Sequence, residues 1–488
     1  MPRVLLFIIV LLTGCQQTAE TSVIRFGLQS APLSLDPRMA TDASAERINR
    51  LVYQSLVNVD EQFRPIPGLA TWQVLSPRHY RFSLNPDNAS FHNGKPLTTQ
   101  DVLSCYQYIL NDKNASPHKG NLAHIEKIRV LDSQTIDFYL SRNDVLFPGR
   151  LSIGIPYLQA VSVGNGPFRI ENSELMSEVI LQRTRDNQRF SFLHVKDPSV
   201  RVLKLLRGEL DIVQNDLQAE LVEYLHNKEE VLVESRSGST FSYIGFNMED
   251  PLTSKPEIRK AISLAIDRPQ LIKALMGKHA SISHSLLPLQ HWSRKNKMQH
   301  FHYQPAKAKE ILKASGYDEQ YRPHIVYKTT TNPLRLRIAT VIQKQLSEVG
   351  IDLEIRSYDW GTFYGDVKSG NFQMYSLSWV GINSPDIYQT VFHSQSVPPK
   401  GANRGRYKNQ QVDKLLDDAF SSEAMGQDLP VAIDAVQTIL LNDLPYIPLW
   451  FEDNIAVTSK RIKNYSVALN GNYDALTNVR LIQLEEIN

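Results

Sequence analysis

Apolar and polar positions along this chain follow two rhythms, and the rhythm changes from one segment to the next. Val23-Ile24-Arg25-Phe26-Gly27-Leu28 reads as a first strand, closed by the turn-forming run Ser30-Ala31-Pro32-Leu33-Ser34-Leu35-Asp36-Pro37. The pattern predicts a helix over residues 45–56 and strands around Tyr80-Arg81-Phe82-Ser83-Leu84 and Thr135-Ile136-Asp137-Phe138-Tyr139-Leu140. Between those strands Thr98 stands three residues before Asp101, the spacing of a capping box. Val102, Cys105, Tyr106 and Ile109 then fall on one helical face. The second half alternates helix and strand more regularly. Residues 257–266 are amphipathic and pause at Asp267-Arg268-Pro269, after which Leu271, Ile272 and Leu275 carry another helix to Gly277. Residues 305–315 open on a proline and stop before Gly316. Leu334, Ile338, Val341, Ile342 and Leu346 form a helical stripe ending at Gly350, and Ile351-Asp352-Leu353-Glu354-Ile355 then alternates with period two. Helix-to-strand connections of this kind predict α/β lobes, with no internal repeat.

Length and charge narrow the picture. The 488 residues exceed one ordinary core, so two or three lobes are expected. Lys and Arg number 53 against 51 Asp and Glu, which leaves no electrostatic case for a nucleic-acid partner. The chain holds no Cys-x-x-Cys pair, no His-Glu-x-x-His and no Gly-x-Ser-x-Gly, and Gly164-Asn165-Gly166 lacks the third glycine of a dinucleotide fingerprint. His279, His284, His291, His300 and His302 cluster loosely, without a recurring metal-site spacing. No catalysis, metal or cofactor is therefore expected. Cys105, on the apolar helical face, reads as a small core residue.

The first residues carry a different signal. Arg3 precedes an apolar run over residues 4–12 that is too short to span a bilayer, and Leu12-Thr13-Gly14-Cys15 ends it. This resembles the bacterial lipoprotein signal peptide with its lipobox. The resemblance implies cleavage before Cys15, acylation of Cys15 and its new amine, and a polar tether over residues 15–21 that ties the protein to a lipid bilayer. With Cys15 so used, no second thiol remains for a disulfide with Cys105. Gln16, rather than Asp, after the cysteine resembles outer-membrane sorting if the host is Gram-negative.

Further segments, read in order, carry a second resemblance. They are Leu35-Asp36-Pro37, Phe91-His92-Asn93-Gly94-Lys95-Pro96-Leu97-Thr98, Gly164-Asn165-Gly166-Pro167-Phe168 and Leu206-Arg207-Gly208-Glu209-Leu210-Asp211. After them come Gly245-Phe246-Asn247-Met248, Ala265-Ile266-Asp267-Arg268, Arg406-Tyr407-Lys408-Asn409 and Leu444-Pro445-Tyr446-Ile447-Pro448. Together they resemble family 5 of the extracellular solute-binding proteins, the peptide and nickel type that serves ABC transporters. That implies a clamshell of periplasmic-binding-protein type II (cluster C-like), two main α/β lobes plus an inserted one. Lobe I is expected from residues 22–45, 160–238 and 455–488, lobe II from 46–159 and lobe III from 239–454. The implied activity is capture of an oligopeptide-like solute by a monomer that closes lobes I and III over it and hands it to a membrane permease with its ATPase. An oligosaccharide or metal chelate as solute, or a sensory receptor on the same fold, are the alternatives.

The resemblance also implies where ligand lies. Phe372-Gln373-Met374-Tyr375-Ser376-Leu377-Ser378 reads as the family's strand before a tryptophan loop, here Trp379-Val380-Gly381-Ile382-Asn383-Ser384-Pro385-Asp386. Loops at the carboxyl ends of strands are where α/β sheets bind ligands. The candidate ligand-binding residues are Trp360, Ser378, Trp379, Val380, Gly381, Ile382 and Asp386, completed by Gln29 and Ser30 after the first strand. Peptide-binding members usually carry an aspartate where this chain has Ile382, and it pairs with the peptide α-ammonium. Asp386 is the candidate replacement, although Ser384-Pro385-Asp386 also reads as a helix start with Ser384 as N-cap.

Overall fold

The structure, a computed structural model, describes residues 23–85, 90–294, 302–421 and 428–482. Residues 1–22, which include Cys15 and the expected leader and tether, and residues 483–488 lie outside them. Among the described residues an eleven-stranded mixed sheet runs through the molecule, and a separate four-stranded antiparallel sheet stands beside it. The first strand is Val23–Leu28, as its alternation predicts. It lies parallel to Arg189–His194 on one side and Ile212–Gln214 on the other. The small sheet orders Ala70–Ser76, His79–Leu84, Thr135–Leu140 and Ile125–Val130. Its core packs Phe82, Phe138 and Phe147 against the helix Thr99–Leu110, where Cys105 is buried. Thr98 N–H donates to Asp101 Oδ2 at 2.9 Å, within the capping box that the spacing predicts.

Alternation sends successive side chains of each strand to opposite faces, so each half of the large sheet carries a core on both faces. In the first half Phe26, Phe190 and Tyr473 fill one face and Leu210, Val213 and Val457 the other. In the second half Tyr327, Ile342 and Trp450 fill one and Tyr243, Phe363 and Tyr388 the other. The stripe on Pro333–Glu348 supplies Ile338, Ile342 and Leu346, all but removed from water, each contributing about 1.5–3 kcal/mol.

One predicted boundary differs. The helix expected over residues 45–56 is Ala43–Val52. Its end is set by a chain crossing remote in sequence: Asn165 N–H and Gly166 N–H both donate to the Val52 carbonyl, at 3.1 and 2.8 Å. A Cβ on Gly164 would sit 2.1 Å from that carbonyl oxygen. The glycines of Gly164-Asn165-Gly166 are therefore required by close backbone approach, and the approach takes the carbonyl that would have continued the helix.

Two long strands, Val231–Phe246 and Tyr446–Ser459, join the halves by pairing antiparallel along most of their length. Their register breaks between Arg236 and Thr240. At Gly238, inside the break, a Cβ would lie 2.3 Å from the Glu452 carbonyl oxygen. Such a break bends a strand pair and increases its twist. The small-sheet region also touches the second half: Trp292 N–H donates to the Gln62 carbonyl at 3.1 Å, and the rings of Phe63 and His291 stack with centroids 5.5 Å apart.

Candidate functional site

The strand Met374–Trp379 runs antiparallel to Phe241–Phe246 of the long strand, placing Ser378 opposite Ser242 and Trp379 opposite Phe241. On one face the two serines bond at 2.7 Å. Ser242 Oγ donates to Glu452 Oε1 at 2.8 Å, and Arg335 Nη2 donates to Ser378 Oγ at 2.8 Å while standing 3.3 Å from Glu452. With the Ser242 proton on Glu452, Ser378 is the donor between the serines, so each proton in the cluster has one direction. Arg335 sits in the first turn of its helix, where the macrodipole disfavours a cation. Glu452 offsets that cost.

The other face is aromatic and cationic. The Arg404 guanidinium lies 4.4 Å above the Trp379 ring and 5.5 Å from that of Tyr364. It donates to the Tyr243 hydroxyl at 3.0 Å and faces that of Tyr364 at 3.4 Å. Trp360 stacks on Tyr364 with centroids 5.1 Å apart and remains 59% exposed. Trp360 and Trp379 are thus joined through Tyr364 and Arg404 into one continuous wall.

Beyond Trp379 the loop divides. Val380 is exposed, and Gly381 takes a φ of +66°. Ile382 is 6% exposed and packs into the core that holds Phe363 and Tyr388. Ser384 to Asp386 form a turn ahead of the helix Ile387–Phe392, which begins later than its Ser-Pro-Asp signature suggests. Asp386 Oδ2 is held by Arg150 Nη1 at 2.8 Å. Arg150 Nε also meets Asp144 Oδ2 at 2.5 Å, and His124 meets the same oxygen at 2.9 Å. Burial opposes ionisation of Asp144, yet His124 and Arg150 hold its carboxyl below the usual range.

Gln29 and Ser30 sit on the far side of the register break. With its nitrogen turned inward, the Gln29 amide donates to both Asp216 oxygens, at 2.8 and 3.0 Å. The Ser30 carbonyl accepts from Ser44 Oγ at 2.9 Å. Crowding by the surrounding protein pushes the Asp216 carboxyl above the usual range, Arg201 and Arg47 pull it back, and the charge on Glu452 pushes it up again. The sequence reading missed Asp216, Arg335, Arg404 and Glu452. The one legible hint was the turn-forming pair Asn215-Asp216, and both residues do take left-handed φ just past a strand.

The family model of the bacterial extracellular solute-binding proteins, family 5 Middle, matches residues 64–398. The chain belongs to that family. Among curated relatives, the periplasmic murein peptide-binding protein MppA of Escherichia coli is 24% identical over 514 residues, covering 92% of this chain and 91% of MppA. Di/tripeptide-binding protein 1 of Pseudomonas aeruginosa is 26% identical, covering 88% and 89%. The crystal structure of the ABC transporter substrate-binding protein CtaP from Listeria monocytogenes superposes with a TM-score of 0.83 at 22% identity, over 94% of this chain and 99% of CtaP. The fold is that of the type II periplasmic binding proteins. Within this family-5 protein no helix among the described residues is long and apolar enough to cross a membrane. No group of three or more His, Cys, Asp or Glu side chains among them could hold a metal ion.

Proposed function

We propose that this protein is the substrate-binding lipoprotein of an ABC importer, capturing an oligopeptide-like solute between two lobes and delivering it to a permease and ATPase in the membrane. The observation that carries this reading is the paired crossing of Val231–Phe246 and Tyr446–Ser459 with its register break at Gly238, since candidate contacts stand on both sides of the break. Gln29 and Asp216 lie before it, and Trp379, Arg404 and Ser378 lie beyond it. Bending at two strands would bring these surfaces together, which is how hinge closure couples binding to a shape a permease can read. In this reading residues 22–45, 160–238 and 455–488 form lobe I, 239–454 form lobe III, and 46–159 form an added lobe II. Peptide as solute is supported by two relatives, MppA, named for murein peptide binding, and the Pseudomonas protein, named for di- and tripeptide binding. Cys15 carries the acyl anchor, and the binding work lies outside the cytoplasm, tethered to the outer membrane where the host has one.

Mass spectrometry of solute released from the purified protein tests the substrate, and small-angle scattering with and without that solute tests closure. Recovered peptides and a smaller radius of gyration on rebinding are expected. Absence of peptide both from the released material and from binding assays would overturn the substrate, and an unchanged radius at saturation would overturn closure.

A further inference from the structure

Arg404 is 8% exposed, yet no carboxylate among the described residues pairs with it. An arginine cannot shed its proton in a protein, so this is a permanent cation withdrawn from water. Its neighbours are two phenol hydroxyls and two ring faces, which ease the cost of burial but leave the charge unbalanced. Nearby acids are engaged elsewhere. Asp366 holds Lys328 at 2.7 Å, Glu249 holds Lys408 at 3.0 Å, and Asp359 caps its own helix through Thr362. The surroundings add cations: Lys368 lies 5.2 Å from the Tyr364 ring, and Arg406 donates to the Arg404 carbonyl. Beside this cluster the loop offers Ile382, turned into the core, and Asp386, held by Arg150.

We propose that Arg404, set between Trp379 and Tyr364, is an anchor for a carboxylate of the bound solute. The inference rests on the reading that the loop after Trp379 faces the solute. It makes this end of the site the reverse of an ammonium pocket: an ammonium here would meet uncompensated positive charge, whereas a carboxylate would supply the missing counter-ion through charge-assisted hydrogen bonds. The exposed Trp360 and Val380 then flank the residue that bears the carboxylate.

Calorimetry with three probes tests this: trialanine, trialanine C-terminal amide, and Ala-Glu-Ala amide. If Arg404 holds the peptide terminus, amidation of trialanine should weaken binding about thirtyfold or more in the wild-type protein. Arg404→Gln should bind the free acid only as well as the amide. If Arg404 holds an acidic side chain, Ala-Glu-Ala amide should bind tightly to wild type and lose the same factor in Arg404→Gln. An amidation penalty equal in both proteins, or no dependence on any carboxylate, overturns the proposal. Should Arg404→Gln fail to fold, Arg404→Lys, which keeps the charge, and the wild-type comparison decide. If no peptide binds, the peptide reading falls by itself and glucuronate against glucose becomes the discriminating pair. Arg404-dependent binding of glucuronate alone sustains the carboxylate anchor, and any other result removes it.

Discussion

Asp386 is the position at which the structure and a peptide-amine role make opposite predictions. Its carboxylate lies 2.8 Å from Arg150, with the two side chains 23% and 17% exposed. Two unit charges about 4 Å apart attract by about 4 kcal/mol at an effective dielectric near 20. Partial exposure and the cost of desolvation reduce the net value, and Arg150 keeps Asp144 when Asp386 is neutralised. Asp386→Asn should therefore cost about 1–2 kcal/mol. Arg150→Met strips the cation from two carboxylates at once and should cost more, about 3 kcal/mol. Because the two changes remove one shared interaction, the double variant should be less destabilised than the sum, by about 1 kcal/mol. Urea unfolding followed by tryptophan fluorescence measures all three. Peptide binding should stay within about twofold in Asp386→Asn, and acetylating the peptide amine should matter equally in variant and wild type. A tenfold loss of peptide affinity in Asp386→Asn at undiminished stability would refute this reasoning and give Asp386 to the ligand.

Three further outcomes follow from burial and sequence. Burial holds His291 down to about 4, against a backbone bond to Asn383 that favours its charged form. The unfolded chain, titrating near 6.5, then binds more protons below that pH, so stability should fall from about pH 6.5 to 4, by up to about 3 kcal/mol. His291→Gln should flatten that slope in pH-dependent urea unfolding, and identical slopes would refute the assignment. Burial pushes the Cys105 thiol up to about 12, so it should resist a thiol-reactive disulfide reagent at pH 8 until denaturant is added; rapid stoichiometric reaction of the native protein would contradict it. Cys15→Ser should abolish incorporation of labelled fatty acid in the expressing bacterium, and undiminished labelling would remove the lipobox reading.

Much of the architecture was legible because it depends on neighbours in sequence. Val23–Leu28 alternates, Thr98 and Asp101 cap a helix locally, and the stripe from Leu334 to Leu346 stops at Gly350 before a strand. Such signals need only the periods of helix and strand and the turn preferences of a few residues. The strand that ends at Trp379 was legible through the resemblance of its loop to the family's tryptophan motif. Tertiary structure decided what those signals cannot reach. The helix from Ala43 ends at Val52 because a loop more than a hundred residues away takes its carbonyl. Asp386 meets Arg150 and Asp216 feels Glu452 because folding brings together segments separated by over two hundred positions. Arg404 looks in sequence like one more cation in a basic loop. Only the packing of Tyr243, Tyr364 and Trp379 around it shows a charge taken from water without a counter-ion, because desolvation belongs to the three-dimensional surroundings of a residue and leaves no trace in its neighbours along the chain.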